Sequence, residues 1–359
     1  MVYQIALKFI KTSMKKFLSF LVFTLLVSCS KDYTILESID GLILSADENT
    51  RIINQATTLK LVKNNGEDIT TQAEFFVNGI KIESNTFSKD EVGTYIITAK
   101  YKGIESENNV EIIYHDGSLI TFKSNVMVED YTGTWCGNCP RVVHALEVAD
   151  QQLGENKSQL IKVAIHRSSS NPQDASYDPY NFDSSAFEPN GGYPKAYINR
   201  KTRWTPLEYN NLSMVVSQTQ VIKRLGLKMS TELLSNSTVK LNVSGLFTEN
   251  IPNTKLVVYV LENGFIYDQI NYTTFYNGSD PIIAFNHDHV LKNILTNHNG
   301  DNIENTNTGS EFTREFTINT SNFQNINNVE FVAFFVNNDG VVLNARLCKM
   351  NEIQDYQLQ

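Results

Sequence analysis

The spacing of apolar residues changes twice along the chain, and each change marks a boundary. From 33 to about 115, short alternating runs are separated by turn residues. Phe75-Phe76-Val77 leads into Asn78-Gly79, a hairpin signal, and Ile80-Lys81-Ile82 resumes the alternation. Val92 to Tyr101 reads as one longer strand, and His115-Asp116-Gly117-Ser118 as a linker. From 119 the pattern becomes strand and helix in turn. A strand is expected from Phe122 to Tyr131. Val142, Leu146, Ala149 and Leu153 then recur at helical spacing, with Gly154 placed to end the helix. Leu160 to His166 reads as a second strand, and Arg167 to about Gly192 as a polar, solvated loop that includes Asp183 and Glu188. Tyr193 to Arg200 is strand-like, and a helix is expected around Leu212 to Leu225. Beyond 226 the strand pattern returns. Leu241 and Val243 alternate, and Leu256 to Leu261 is a run long enough for a buried strand. Glu330–Val336 and Val341–Leu347 flank the turn Asn337-Asn338-Asp339-Gly340, while Asn297 to Ser310 reads as a long loop. The expected fold class is therefore multidomain: an α/β domain over 119–225, flanked by β-sandwiches over 33–115 and 226–359.

A length of 359 residues supports about two to three domains, and an apolar share of 41% is ample for folded cores. The net charge of -9 argues against a nucleic-acid partner. The one basic cluster, Lys8, Lys11, Lys15 and Lys16, lies in what reads as a leader. Met14-Lys15-Lys16 is followed by the apolar run Phe17 to Val27, too short to span a bilayer as a helix but suited to a signal peptide. It ends in Leu26-Val27-Ser28-Cys29, which resembles a bacterial lipobox. That resemblance implies a signal peptide over 1–29, cleavage before Cys29 and acylation of its thiol. The membrane is then a partner through the N-terminal lipid. Ser30 after the Cys favours the outer membrane, with the periplasmic and cell-surface faces both open, as is a start at Met1 or Met14.

Four cysteines, Cys29, Cys136, Cys139 and Cys348, are too few for a disulfide-stapled scaffold. Cys348 reads as a small buried hydrophobe. Cys136 and Cys139 stand at the start of the expected helix. There, free N–H groups and the helix dipole favour a thiolate at the first Cys, and the second, one turn on, is placed to resolve a mixed disulfide. Cys136 is thus the candidate nucleophile, Cys139 the resolving thiol and Trp135 an apolar lip beside them. The pair is also compatible with a purely structural Cys136–Cys139 disulfide. A c-type haem is excluded because Pro140, not His, follows Cys139. A zinc site lacks a second Cys pair, with only His144 nearby. His287 and His289, expected on one strand face, are weak metal candidates. No cofactor is expected.

Trp135-Cys136-Gly137-Asn138-Cys139-Pro140 after a strand resembles the thioredoxin superfamily. With Pro194-Lys195-Ala196-Tyr197-Ile198-Asn199-Arg200 and His287-Asp288-His289-Val290-Leu291-Lys292, it is similar to the Omp28-related outer-membrane lipoproteins, over about 119 to 350. Gly93-Thr94-Tyr95 resembles the late strand of bacterial immunoglobulin-like domains, where a Tyr caps the sandwich corner. The thioredoxin resemblance implies a cis-Pro at Pro194 facing the cysteines and a buried acid at Asp130 that moves protons to Cys139, with Glu129 competing for that register. Two functions follow as expectations. One is a cell-envelope thiol–disulfide oxidoreductase acting on protein dithiols or disulfides. The other is an outer-membrane or surface binding and adhesion lipoprotein whose Cys136–Cys139 disulfide is structural.

Overall fold

The computed structural model describes residues 41–117, 120–167, 169, 171, 173–235 and 238–359. The leader over 1–29, with Cys29, lies outside the described residues.

The N-terminal unit is a β-sandwich. One sheet holds β1 (Leu42–Ala46), β3 (Thr57–Lys63) and β6 (Thr86–Phe87). The other runs β2 (Thr50–Ile52), β9 (Val110–His115), β7 (Gly93–Tyr101), β4 (Glu74–Val77), β5 (Ile80–Ile82), with β8 (Ile104–Glu105) also on β7. Alternation builds it: Leu42, Leu44, Leu59 and Leu61 point inward from one sheet, and Phe75, Ile97, Ala99 and Ile112 from the other. The hairpin expected at Asn78-Gly79 forms, with both residues at positive φ. The Tyr95 hydroxyl donates to the Glu91 carbonyl at the sandwich corner. This unit packs on the rest of the chain. Ile52 and Ile113 pack on Phe122 and Tyr356, and Glu48 pairs with Lys228.

The remaining strands and helices are β10 (Val126–Thr132), α1 (Pro140–Leu153), β11 (Leu160–His166), β12 (Lys195–Ile198), β13 (Thr202–Arg203), α2 (Ser213–Val216), β14 (Leu225–Ser235), β15 (Thr238–Phe247), β16 (Lys255–Glu262), β17 (Phe265–Gln269), β18 (Ile282–His287), β19 (Val290–Ile294), β20 (Asp301–Asn302), β21 (Glu311–Asn319), β22 (Val329–Val336) and β23 (Val342–Lys349). Among the described residues they build a nine-stranded sheet in the order β13-β12-β10-β11-β19-β16-β22-β23, with β20 on β16. The sheet takes strands from both sides of the expected boundary at 225/226. β10 runs parallel to β11 and antiparallel to β12, and β11 joins β19 in parallel through Ala164 and Val290. The sheet β14-β15-β21 covers one half of it, burying Leu225, Val243, Val258, Phe331 and Phe335. α1 covers the other half with Val142, Ala145 and Ala149 against Val126, Val128 and Trp204. β16 and β22 are buried on both faces, which is why they read as unbroken apolar runs.

Several expectations need correction. The strand expected from Phe122 begins at Val126, and Phe122 makes only isolated bridges to Lys223 and Leu358. The helix expected over 212–225 is the short α2 between 3-10 turns. Leu225, Leu227 and Met229 belong to β14, where a period of two puts them in the core. The expected loop over 297–310 contains β20. Among the described residues, no helix is long and apolar enough to cross a membrane.

Candidate functional site: a covered disulfide

β10 delivers the chain to Gly133, and the next six residues turn it into α1. Cys136 N–H donates to the Gly133 carbonyl and Cys139 N–H to the Cys136 carbonyl, both at 3.0 Å. Cys139 is the N-cap, and Pro140 stands in the first turn, where a missing N–H is tolerated. Cys136 and Cys139 form a disulfide with Cα atoms 5.4 Å apart. Trp135 is half-buried. Its indole N–H donates to the Arg167 carbonyl at 2.8 Å, and its ring lies edge-on to Tyr193. The Tyr193–Pro194 peptide is cis, and Pro194 is buried.

The disulfide is not open to solvent. Cys136 is 5% exposed and Cys139 1%. The cover is the segment that leaves β17. Ile270 N–H donates to the Thr134 carbonyl at 2.9 Å, and Tyr272 N–H to the Gly137 carbonyl at 2.6 Å. The buried Gln269 amide nitrogen donates to the carbonyls of Gly133, Thr134 and Cys136 at 3.1–3.3 Å. The ring of Tyr272 lies on Gly137 so closely that a Cβ there would be 2.3 Å from it. Further along, Phe275 stacks on His144 of α1, and the Asn271 side chain holds the loop to Phe275 and Ser279. Cys136 is therefore buried under a strap, with Trp135 beside it. Gln269 carried no periodic signal in the sequence: it is one polar residue at a strand end.

Near the end of β10, Asp130 is buried, and its Oδ1 has no hydrogen-bond partner. Burial, reinforced by the nearby Glu208 carboxylate and opposed by Arg141, holds its carboxyl well above the ordinary 3.8. Glu129, also buried, faces the other side of the sheet, towards Arg200, Tyr131 and Tyr259. His166 pairs with Asp178 at 2.8 Å. Burial pushes Asp178 up, but this bond and the N–H donors of Thr134 and Tyr180 outweigh it and hold it below its ordinary value. Asp178 thus ties the loop over 177–180 to the residue two before Cys136.

The shared strand face expected for His287 and His289 is absent. β18 ends at His287, and His289, at φ 58°, lies in the turn to β19 with its Nδ1 3.0 Å from Glu330. Among the described residues, no group of three or more His, Cys, Asp or Glu side chains is placed to hold a metal. His287 is buried, and burial, with His166 beside it, lowers it to about 4. Its ring proton in an NMR titration is expected to show a midpoint near 4 rather than 6.5. The unfolded chain binds this proton at a higher pH than the folded chain does. The sign is that His287 contributes a gain of stability as pH rises from about 4 to 6.5, lost again on acidification through that window. Glu188, expected in solvent, is half-buried and accepts from Tyr193, Lys195 and Ser184. Cys348 is a buried free thiol, pushed up to about 12 by burial.

The hairpin that covers the disulfide is also where the chain matches a known family. The profile of the family described as "Outer membrane protein Omp28" matches residues 184–354. The Omp28 match takes in Pro194, the β17–β18 hairpin and the β22–β23 hairpin, and it begins after Cys139. No curated protein matches the chain in sequence. Among solved structures, HBP35 of Porphyromonas gingivalis is similar at 17% identity and a TM-score of 0.48, covering 65% of this chain and 77% of its own. Surface layer protein SbsC, domains 4–9, follows at 10% identity and 0.17, with 88% and 51% covered. A β-glucosidase from Kluyveromyces marxianus has 8% identity and 0.18, with 80% and 42% covered.

Proposed function

We propose that the protein is an outer-membrane lipoprotein of the cell envelope that works by binding, and that its Cys136–Cys139 disulfide is structural. The Omp28 match supports the location, and the lipobox at Cys29 the anchor. The binding unit in this reading is thioredoxin-like. β10, α1 and β11 form a parallel β-α-β unit, and β12 and β13 extend the sheet antiparallel beyond β10.

The observation that carries the structural reading is the cover over Cys136. A disulfide that exchanges with protein substrates must admit a thiolate to one sulfur. Here the Gln269–Tyr272 segment occupies that approach with backbone and side-chain bonds. The reduction potential is expected below about -300 mV, the range of structural disulfides. In an insulin-reduction assay with dithiothreitol, wild type and Cys136→Ser are expected to show the same rate. A wild-type rate that exceeds Cys136→Ser would instead establish the oxidoreductase reading, which a buried acid at Asp130, six residues before Cys136, favours.

A further inference from the structure

Between α1 and the β17–β18 hairpin lies a cavity of about 280 Å³, walled by β10 and β11 on the sheet side. Its size corresponds to about nine water volumes, below the range of drug-sized sites. Val143, Leu146, Val163 and Phe285 give it an apolar body.

Three polar groups converge on it. Asp130 presents a buried carboxyl whose Oδ1 is unpartnered. The Gln269 amide nitrogen is fixed by the carbonyls around it, so its Oε1 is a free acceptor. His287 Nε2 faces the Tyr267 carbonyl and must be the donor, which leaves Nδ1 a bare acceptor. Cationic side chains along the wall are paired, Lys162 with Asp150, His166 with Asp178 and His289 with Glu330, while Glu147 and Asp288 add two carboxylates. An anionic ligand would therefore meet carboxylates and no free cation there, and a ligand that brings an N–H or O–H donor avoids that cost.

We infer that this cavity is a binding site for a small, planar organic molecule of about ten non-hydrogen atoms that carries an N–H or O–H donor and no negative charge. Its ring packs between Leu146 and Phe285, and its donor reaches the acceptors at Asp130, Gln269 and His287. The inference deepens the binding reading above by naming a ligand class, and it does not depend on the state of the disulfide. Because Gln269 both lines the cavity and holds the carbonyls of Gly133 to Cys136, an occupant presses on the same side chain that fastens the strap.

The test is calorimetric titration of the purified full chain with indole, and with benzofuran, which has the same shape and no donor. Indole is expected to bind saturably at about 0.1–1 mM, and benzofuran about tenfold more weakly. Ala164→Leu and Val143→Phe, which fill the cavity from opposite walls, are each expected to weaken indole about tenfold or more. Asp130→Asn, which keeps a polar partner, is expected to stay within about threefold of wild type, and Asp130→Leu to lose about tenfold. No saturable heat with indole, as for a cavity that holds water alone, overturns the inference. So does indole binding that neither filling variant weakens. Binding together with disulfide turnover would leave the cavity standing and remove the structural reading. Its absence together with an inert disulfide would do the reverse.

Discussion

Gln269→Ala is expected to speed reduction of the Cys136–Cys139 disulfide by a phosphine on the order of 30- to 100-fold. In the closed form Cys136 and Cys139 are 5% and 1% exposed, so reagent must wait for the strap to open. The rate then follows the population of the open form. The Gln269 amide shares its two N–H donors among three carbonyls of the Gly133–Cys136 turn, and a net hydrogen bond contributes about 1 kcal/mol. Removing them lowers the opening free energy by about 2–3 kcal/mol, with tenfold in rate for each 1.4 kcal/mol. Tyr272→Ala acts through the ring on Gly137 alone. That ring is 70% exposed, so the expected gain is smaller, about fivefold. Gly137→Ala is expected to accelerate reduction too, because a Cβ at 2.3 Å displaces the same ring. The measurement is thiol labelling against time under pseudo-first-order phosphine, with urea melts to show that Tyr272→Ala keeps its global stability. Rates equal to wild type in all three variants would mean that the strap does not control access.

What the sequence showed and what it concealed divide on physical grounds. β11, β16 and β22 were legible because strands buried on both faces leave continuous apolar runs. The turn at Asn78-Gly79 and the helix face of Val142, Leu146 and Ala149 were legible because local geometry demands those residues. The pairing of β11 with β19 was not. It joins Ala164 to Val290 by a single parallel step, and no local pattern encodes a partner that distant in sequence. For the same reason the sheet crosses 225/226, where composition suggests a boundary. Trp135 to Pro140 was legible as chemistry, and the strap that buries it was not. Strap and turn meet through backbone carbonyls, which every residue carries, and through Gln269, which is isolated in the sequence. The helix expected over 212–225 shortens to α2 and a 3-10 turn, and Leu225 at its end is drawn into β14 by pairing with β15.

Substitutions at the adjacent residues Glu129 and Asp130 are expected to change stability in opposite directions. Successive residues of a strand face opposite sides, so one step along β10 exchanges one environment for the other. Glu129 accepts from Tyr259 at 2.9 Å and Tyr131 at 3.2 Å, and lies 3.4 Å from Arg200. Glu129→Ala leaves a largely buried guanidinium without its carboxylate, and a broken buried pair costs about 3–5 kcal/mol. For Asp130 burial and Glu208 outweigh the compensation from Arg141. Its Oδ1 is unpartnered, and burial keeps its carboxyl well above 3.8. Below 3.8 the proton is bound in both folded and unfolded chains. As pH rises, the unfolded chain releases it first, so this group makes folding less favourable with increasing pH until the folded carboxyl ionises too. Asp130→Asn removes that penalty and is expected to stabilise the protein at pH 8 by about 1–3 kcal/mol. It should also flatten the fall in stability above pH 4 that wild type shows from this group. Urea midpoints at pH 4.5 and pH 8, at constant m-value, measure both effects. A Glu129→Ala variant as stable as wild type would show that Tyr131 and Tyr259 alone do not need that carboxylate. An Asp130→Asn variant less stable than wild type would show that the ionised carboxyl has a partner beyond the cavity wall. The same buried acid that weakens the fold is then the group that most needs an occupant in the cavity beside it.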